Sequence, residues 1–296
     1  AMSATTYNLA VGGTGAPTLA SFEPNVFNFQ NSNKVALGVF DLFFVLGASK
    51  DTDGTYTSGS GGVMIYKIEG CSIGSASIDF DIEGIAQVAW SGNGKLITEQ
   101  ATLNTAAGQA STKGLINEGI SSTTNFIRQK LTDLAIAYDA SESTGDTTGI
   151  GSSDITYSLT LTGGNITIEN NLTYLTPESL GTVNQPLGHV MGTRSVSGNF
   201  TCYLNDVSNG SADLFENLVE STGLITNAFA LTFGIGGSGN TPSVDVAIPK
   251  AHLELPSHSI DDVIGIEVNF HGLSSDLSSA TASSSANEVS ITYDAS

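Results

Sequence analysis

Residues 68–92 read IEGCSIGSASIDFDIEGIAQVAWSG, and residues 248–272 read IPKAHLELPSHSIDDVIGIEVNFHG. Laid over each other without a gap, the stretches share Ile68/Ile248, Ser77/Ser257, Asp81/Asp261, Val88/Val268 and Gly92/Gly272. Ile73/Leu253, Phe80/Ile260 and Trp90/Phe270 keep an apolar side chain. In the first copy Ile78, Phe80, Ile82, Ala86, Val88 and Trp90 alternate with Asp79, Asp81, Glu83, Gln87 and Ser91. A period of two predicts strands with one buried face and one wet, acidic face. The second copy keeps the phase except at Asp262 and Val263, where a turn or bulge would absorb the break.

Working outward, two shorter blocks recur in the same order. YNLAVGG (7–13) matches YSLTLTGG (157–164), and LAIAYDAS (134–141) matches VSITYDAS (289–296). Three blocks in order point to an internal duplication, which decides the architecture before any local reading does. The expected organisation is module one over 1–141, a Ser/Thr/Gly linker over 142–156 and module two over 157–296. The copies differ by insertions, at 93–133 in the first and 165–247 in the second, where loops that meet partners are expected.

Composition agrees with a β-rich fold. The 296 residues include 34 Gly and only 7 Pro, with Ser, Thr and Asn between short apolar runs. Hydrophobic content of 40% with 13% charged residues excludes a disordered acidic chain. The net charge of -20 argues against gripping nucleic acid through its phosphates or binding an anionic membrane surface. With neither a run of 18 apolar residues nor a basic-headed leader, the chain reads as a soluble protein made in the cytoplasm. One helix stands out at Ser211 to Gly223, with Leu214, Phe215, Leu218 and Val219 as its apolar stripe, and NFIRQKLTDLA (125–135) suits a second, shorter one.

Candidate chemistry does not survive inspection. GIGGSG (234–239) satisfies a dinucleotide-loop pattern but runs into NTPSVDVAIP, a strand, so no helix N-terminus follows to hold a pyrophosphate. SGNGKLI (91–97) lacks the first glycine and the final Ser or Thr of a phosphate loop. His189, His252, His258 and His271 have no metal-ligand spacing, and Cys71 and Cys202 sit in separate strands as buried thiols. No catalytic residue, cofactor or metal site is expected.

The repeated unit, in which an Ile-Pro-like start is followed by GIAQVAWSG or GIEVNFHG, resembles the sheet of phage major tail tube proteins. GGNITIENNLTYLTPESLG, RSVSGNFTCYL and the DLFENLVEST helix before VDVAIPKA are similar to that family too. The resemblance covers most of module two and about half of module one. It implies a mainly β fold of two tandem sandwich or open-barrel modules, each covered by a short helix or loop, that assemble into a ring with a continuous β-barrel lumen. It also implies a structural virion protein, not an enzyme, whose stacked rings conduct DNA during ejection. If family rings hold six modules, three chains would close one.

Partners implied are further copies of the chain and other tail proteins such as the tape measure, tail terminator, distal tail protein or sheath. DNA would pass without sticking, because carboxylates repel phosphates within roughly 10 Å at physiological salt. The lumen candidates are then Asp79, Asp81, Glu83, Gln87, Asp261, Glu267 and Asn269. All of the nine Lys and Arg except Arg194 and Lys250 fall in module one, and Lys113, Arg128 and Lys130 of its insertion are candidate contacts between rings. A distal tail, decoration or type VI-like tube component, or a carbohydrate-binding adhesin, stays open as an alternative.

Overall fold

The computed structural model describes residues 25–30, 39–47, 55–59, 63–104, 127–139, 154–175, 188–220, 229–237, 243–260, 264–273 and 287–294. Within them the fold is mainly β, as expected. The first half supplies β1 (Asn25–Gln30), β2 (Phe40–Leu46), β3 (Thr55–Thr57), β4 (Met64–Asp81), β5 (Gln87–Asn93), β6 (Leu96–Glu99), β7 (Thr102–Asn104) and β8 (Asp133–Tyr138). The second supplies β9 (Ile155–Glu169), β10 (Leu172–Leu175), β11 (Gly188–Met191), β12 (Ser195–Tyr203), helix α1 (Ser211–Glu220), β13 (Phe229–Ile235), β14 (Ser243–Leu253), β15 (Ser257–Ile260), β16 (Ile264–Leu273) and β17 (Asn287–Asp294).

Thirteen of these strands form one sheet, and part of it closes on itself in the order β14-β13-β8-β9-β12-β16 and back to β14. Closure removes sheet edges and lets the inward side chains of every strand share one core. Leu134, Ile136, Tyr157, Phe200, Leu231, Phe233, Ile248, Val268 and Phe270 are all buried there. The rings of Phe80 and Phe270 each stand 5.7 Å from that of Phe233. β8, from the first half, completes this barrel by pairing with β9 and β13, so strands from both halves share the sheet. β9 begins at Ile155, and most of the 142–156 linker lies outside the described residues, as does the 7–13 block.

Glycine sets two close approaches inside the barrel. A Cβ on Gly198 would run into the Asn165 carbonyl and stand 2.7 Å from the Phe270 ring, and one on Gly164 would meet Asn199 O and the Phe80 ring. Aromatic rings therefore lie over bare backbone, which permits the strong curvature a small barrel needs.

Two hairpins repeat one register. β2 pairs with β4 from Phe40 opposite Cys71 to Leu46 opposite Met64, and β13 pairs with β14 from Phe229 opposite Ala251 to Ile235 opposite Val244. Both ladders slip at the same place, after Phe40 and after Phe229.

Helix α1 matches the sequence reading. Ser211 is the first helical residue, and its hydroxyl donates to the Tyr203 carbonyl at 2.8 Å, tying the helix to the end of β12. Leu214 is buried and Phe215 and Leu218 pack on the core, while Val219 is exposed. In place of the second helix stands a single 3-10 turn, Gln129–Leu131, before β8. Cys71 and Cys202 are buried, unpaired thiols, and burial pushes Cys202 up to about 11.

Candidate functional site

Strands β5, β4, β9, β12 and β16 lie side by side in one sheet, and their registers gather one polar face. Gln87 stands opposite Asp79, Asp79 opposite Asn165, Asn165 opposite Asn199 and Asn199 opposite Asn269. Residues directly opposed in a ladder share a face, so these five form one row. Parallel rows flank it: Asp81, Gly163, Thr201 and Glu267 on one side, and Ser77, Thr167, Ser197 and His271 on the other. The opposite face carries Ile78, Phe80, Ile166, Phe200 and Val268 into the core.

Hydrogen bonds tie the row to carboxylates beside it. Asn199 Nδ2 donates to Glu267 Oε1 at 2.9 Å, and Asn269 Nδ2 donates to Glu254 Oε2 at 3.0 Å. The Asn269 amide first, and then His271 at 3.2 Å, hold the Glu254 carboxyl below its usual range. Lys250, opposite Leu273, is carried onto the end of the same face.

Of the sequence candidates, Asp79, Asp81, Gln87, Glu267 and Asn269 lie on this face and are exposed, and Glu83 is exposed in the turn after β4. Asp81 also closes that turn, because its carboxylate accepts the backbone N–H groups of Glu83 and Gly84. Sequence reasoning missed Asn165, Asn199, Thr167 and Ser197, although N-x-T in GGNITIE and S-x-N in SVSGNF carry the same period-two signal. Asp261 and Lys113 lie outside the described residues.

Arg128 and Lys130 are exposed beside the same turn, because Gln129 between them is buried and anchors the segment. Its amide accepts from Asp81 N at 3.0 Å and donates to the Asp79 carbonyl.

One sequence expectation fails on this sheet. Alternation predicts a covered face for Val88 and Trp90, yet the whole of β5 is exposed. β5 is an edge strand, paired with β4 alone, and no described element packs over its apolar side. β2 is open in the same way: its only strand partner among the described residues is β4, and Leu42, Phe44 and Leu46 are exposed.

A curved sheet with a polar face, open edges and exposed apolar rows can line a passage and join copies of itself. Among the described residues no three His, Cys, Asp or Glu side chains cluster to hold a metal. The family model for the phage tail tube protein matches residues 6–294. The chain belongs to the phage tail tube protein family. It is also similar to tail tube protein pb6 of Escherichia phage T5, at 33% identity over 216 residues, which cover 71% of this chain and 42% of that protein. The chain thus matches less than half the length of this relative. The tail tube family is a class of structural phage tail components and not an enzyme class.

Proposed function

We propose that the chain is a subunit of a tail tube, in which rings stack into a conduit for DNA during ejection. What carries the reading is the polar face that runs unbroken from Gln87 on β5 to Asn269 on β16, bounded by an open edge at β5. A curved sheet of this kind hides its edges by head-to-tail pairing with further copies, and rotation then closes a ring. Two modules per chain favour three chains per ring, six modules in all. The tube would meet other tail proteins, such as the tape measure, terminator, distal tail protein or sheath, at its ends and surfaces.

In that ring the polar face forms the lumen wall. Asp79, Asp81, Glu83, Gln87, Glu267 and Asn269, with Asp261, are the lining residues proposed, and an acidic wall keeps DNA phosphates from adhering. The amide row Asn165, Asn199 and Asn269 adds a neutral, hydrated strip between them. Arg128 and Lys130, exposed at the turn after β4, and Lys113 are proposed contacts to the next ring.

The test is a phage whose tube subunit carries Asp79→Lys and Glu83→Lys, leaving Asp81 to close its turn. Tails of normal length with impaired DNA ejection are expected. Normal tails with unchanged ejection would contradict the lumen assignment.

A further inference from the structure

We infer that β17 is a strand exchanged between copies: in the assembled ring, β17 of one chain adds to the open edge of β2 in the next. This rests on the ring reading above and specifies its contact.

The two hairpins β2–β4 and β13–β14 are the same device, matched residue for residue in register and in the position of their slip. Their second edges differ. On β13 that edge is filled by β8, with Tyr138 opposite Phe229, Ile136 opposite Leu231 and Leu134 opposite Phe233. On β2 the corresponding edge has no strand partner among the described residues. The consequence shows in burial: Phe233 is 0% exposed, and its counterpart Phe44 is 47% exposed.

The sequence names the strand that fits. β8 lies in LAIAYDAS and β17 in VSITYDAS, the repeated block. Each of the two strands also has an antiparallel partner at the start of a half of the chain. β8 meets β9 with Tyr138 opposite Ile155 and Leu134 opposite Leu159, and β17 meets β1 with Tyr293 opposite Asn25 and Val289 opposite Phe29. β8 thus has two neighbours, β9 and β13. β17 already holds β1 within its own chain, and β2, the strand that matches β13, still has an open edge among the described residues.

Its other edge rests on β14, with Ile291 opposite Val246, and Glu288 reaches Arg194. Exchange releases those contacts, reforms the β1–β17 ladder between chains, and adds a new ladder on β2. This is domain swapping in a head-to-tail sense, which propagates around a ring. By the β8 template, Tyr293 stands opposite Phe40, Ile291 opposite Leu42 and Val289 opposite Phe44 of the neighbour. Junctions between chains then copy the junction inside the chain.

The experiment mixes two single variants, Phe44→Cys and Val289→Cys, in equal amounts, assembles them and oxidises them. A covalent dimer that needs both variants is expected. Rings or tubes without that dimer would overturn the exchange while leaving the ring reading intact, whereas absence of rings from the unsubstituted protein would sink the ring reading itself. If either variant fails to assemble, hydrogen exchange on the unsubstituted protein decides. Amides in Phe40–Leu46 should exchange about tenfold or more slowly in tubes than in isolated chains. Equal exchange in both states would overturn the inference.

Discussion

Trp90 on β5 and Phe270 on β16 align in the matching stretches 68–92 and 248–272, yet Trp90 is 61% exposed and Phe270 is 0% exposed. Phe270 lies inside the closed barrel, 5.7 Å from the Phe233 ring, whereas Trp90 stands on an edge strand that nothing described covers. Sequence preserves an apolar residue at both places, and only one has its cover within the described chain.

The two positions should therefore answer to different measurements. Phe270→Ala is expected to destabilise the isolated chain by about 3–5 kcal/mol, the usual cost of emptying a core aromatic site. Trp90→Ala should change the isolated chain by less than about 1 kcal/mol and weaken association instead. Urea unfolding and sedimentation of both variants would show the split; equal losses of stability would contradict it.

Gly198→Ala tests the curvature of the sheet. The added methyl would meet the Asn165 carbonyl, a backbone atom, and the fully buried Phe270 ring. A loss of at least about 2 kcal/mol is expected, from overpacking at a backbone contact. A neutral change in unfolding midpoint would show that the strands there sit farther apart.

Arg194 and Glu288 form a buried ion pair at 3.4 Å, with Arg194 Nε also donating to Asn170 at 3.2 Å. Burial draws the guanidinium below its ordinary value, against the pull of Glu288, without neutralising it. Glu288→Ala, which removes the carboxylate facing that buried charge, is expected to cost about 3–5 kcal/mol, and Arg194→Met with Glu288→Leu should recover most of it. A double-mutant cycle with no coupling would refute the pairing.

The Asp41–Lys67 pair, at 2.9 Å, gives a pH dependence of known sign. Burial raises the Asp41 carboxyl, but the Gly70 N–H and the Lys67 ammonium outweigh it and leave it below its ordinary value. Hydrogen bonding to Asp41 raises Lys67. The carboxylate's contribution is thus present above its unfolded value and lost as pH falls through the lower folded one; the ammonium's is lost only at alkaline pH. Because both groups are partly solvated, Asp41→Asn should cost no more than about 1 kcal/mol near neutrality. That cost should vanish once pH has fallen through the lowered folded value of Asp41, as unfolding midpoints across pH would show.

How much of this is readable in the sequence depends on the kind of signal. Period-two alternation places Asp79, Asp81, Gln87, Glu267 and Asn269 on one wet face, because pleating alone fixes which side a residue takes. Alternation also puts Val88 and Trp90 on an apolar face, correctly, but it carries no information on whether another element covers that face. The match between FDLFFVL in β2 and FALTFGI in β13 is faint in the sequence, since identity survives mainly at Phe40/Phe229, Leu42/Leu231 and Phe44/Phe233. Pairing register, which lies between strands and not along them, reveals it. The placement of β8 inside the barrel of the second half is likewise a long-range pairing that local pattern does not encode.

Cryo-electron microscopy of the purified protein shows whether this chain closes into rings that stack as a tube with two modules per subunit. Rings or tubes with six similar modules around a central channel, built from three chains, are expected. Particles that remain single chains at high concentration would contradict the tube role, and rings of six chains would contradict the two-module arrangement.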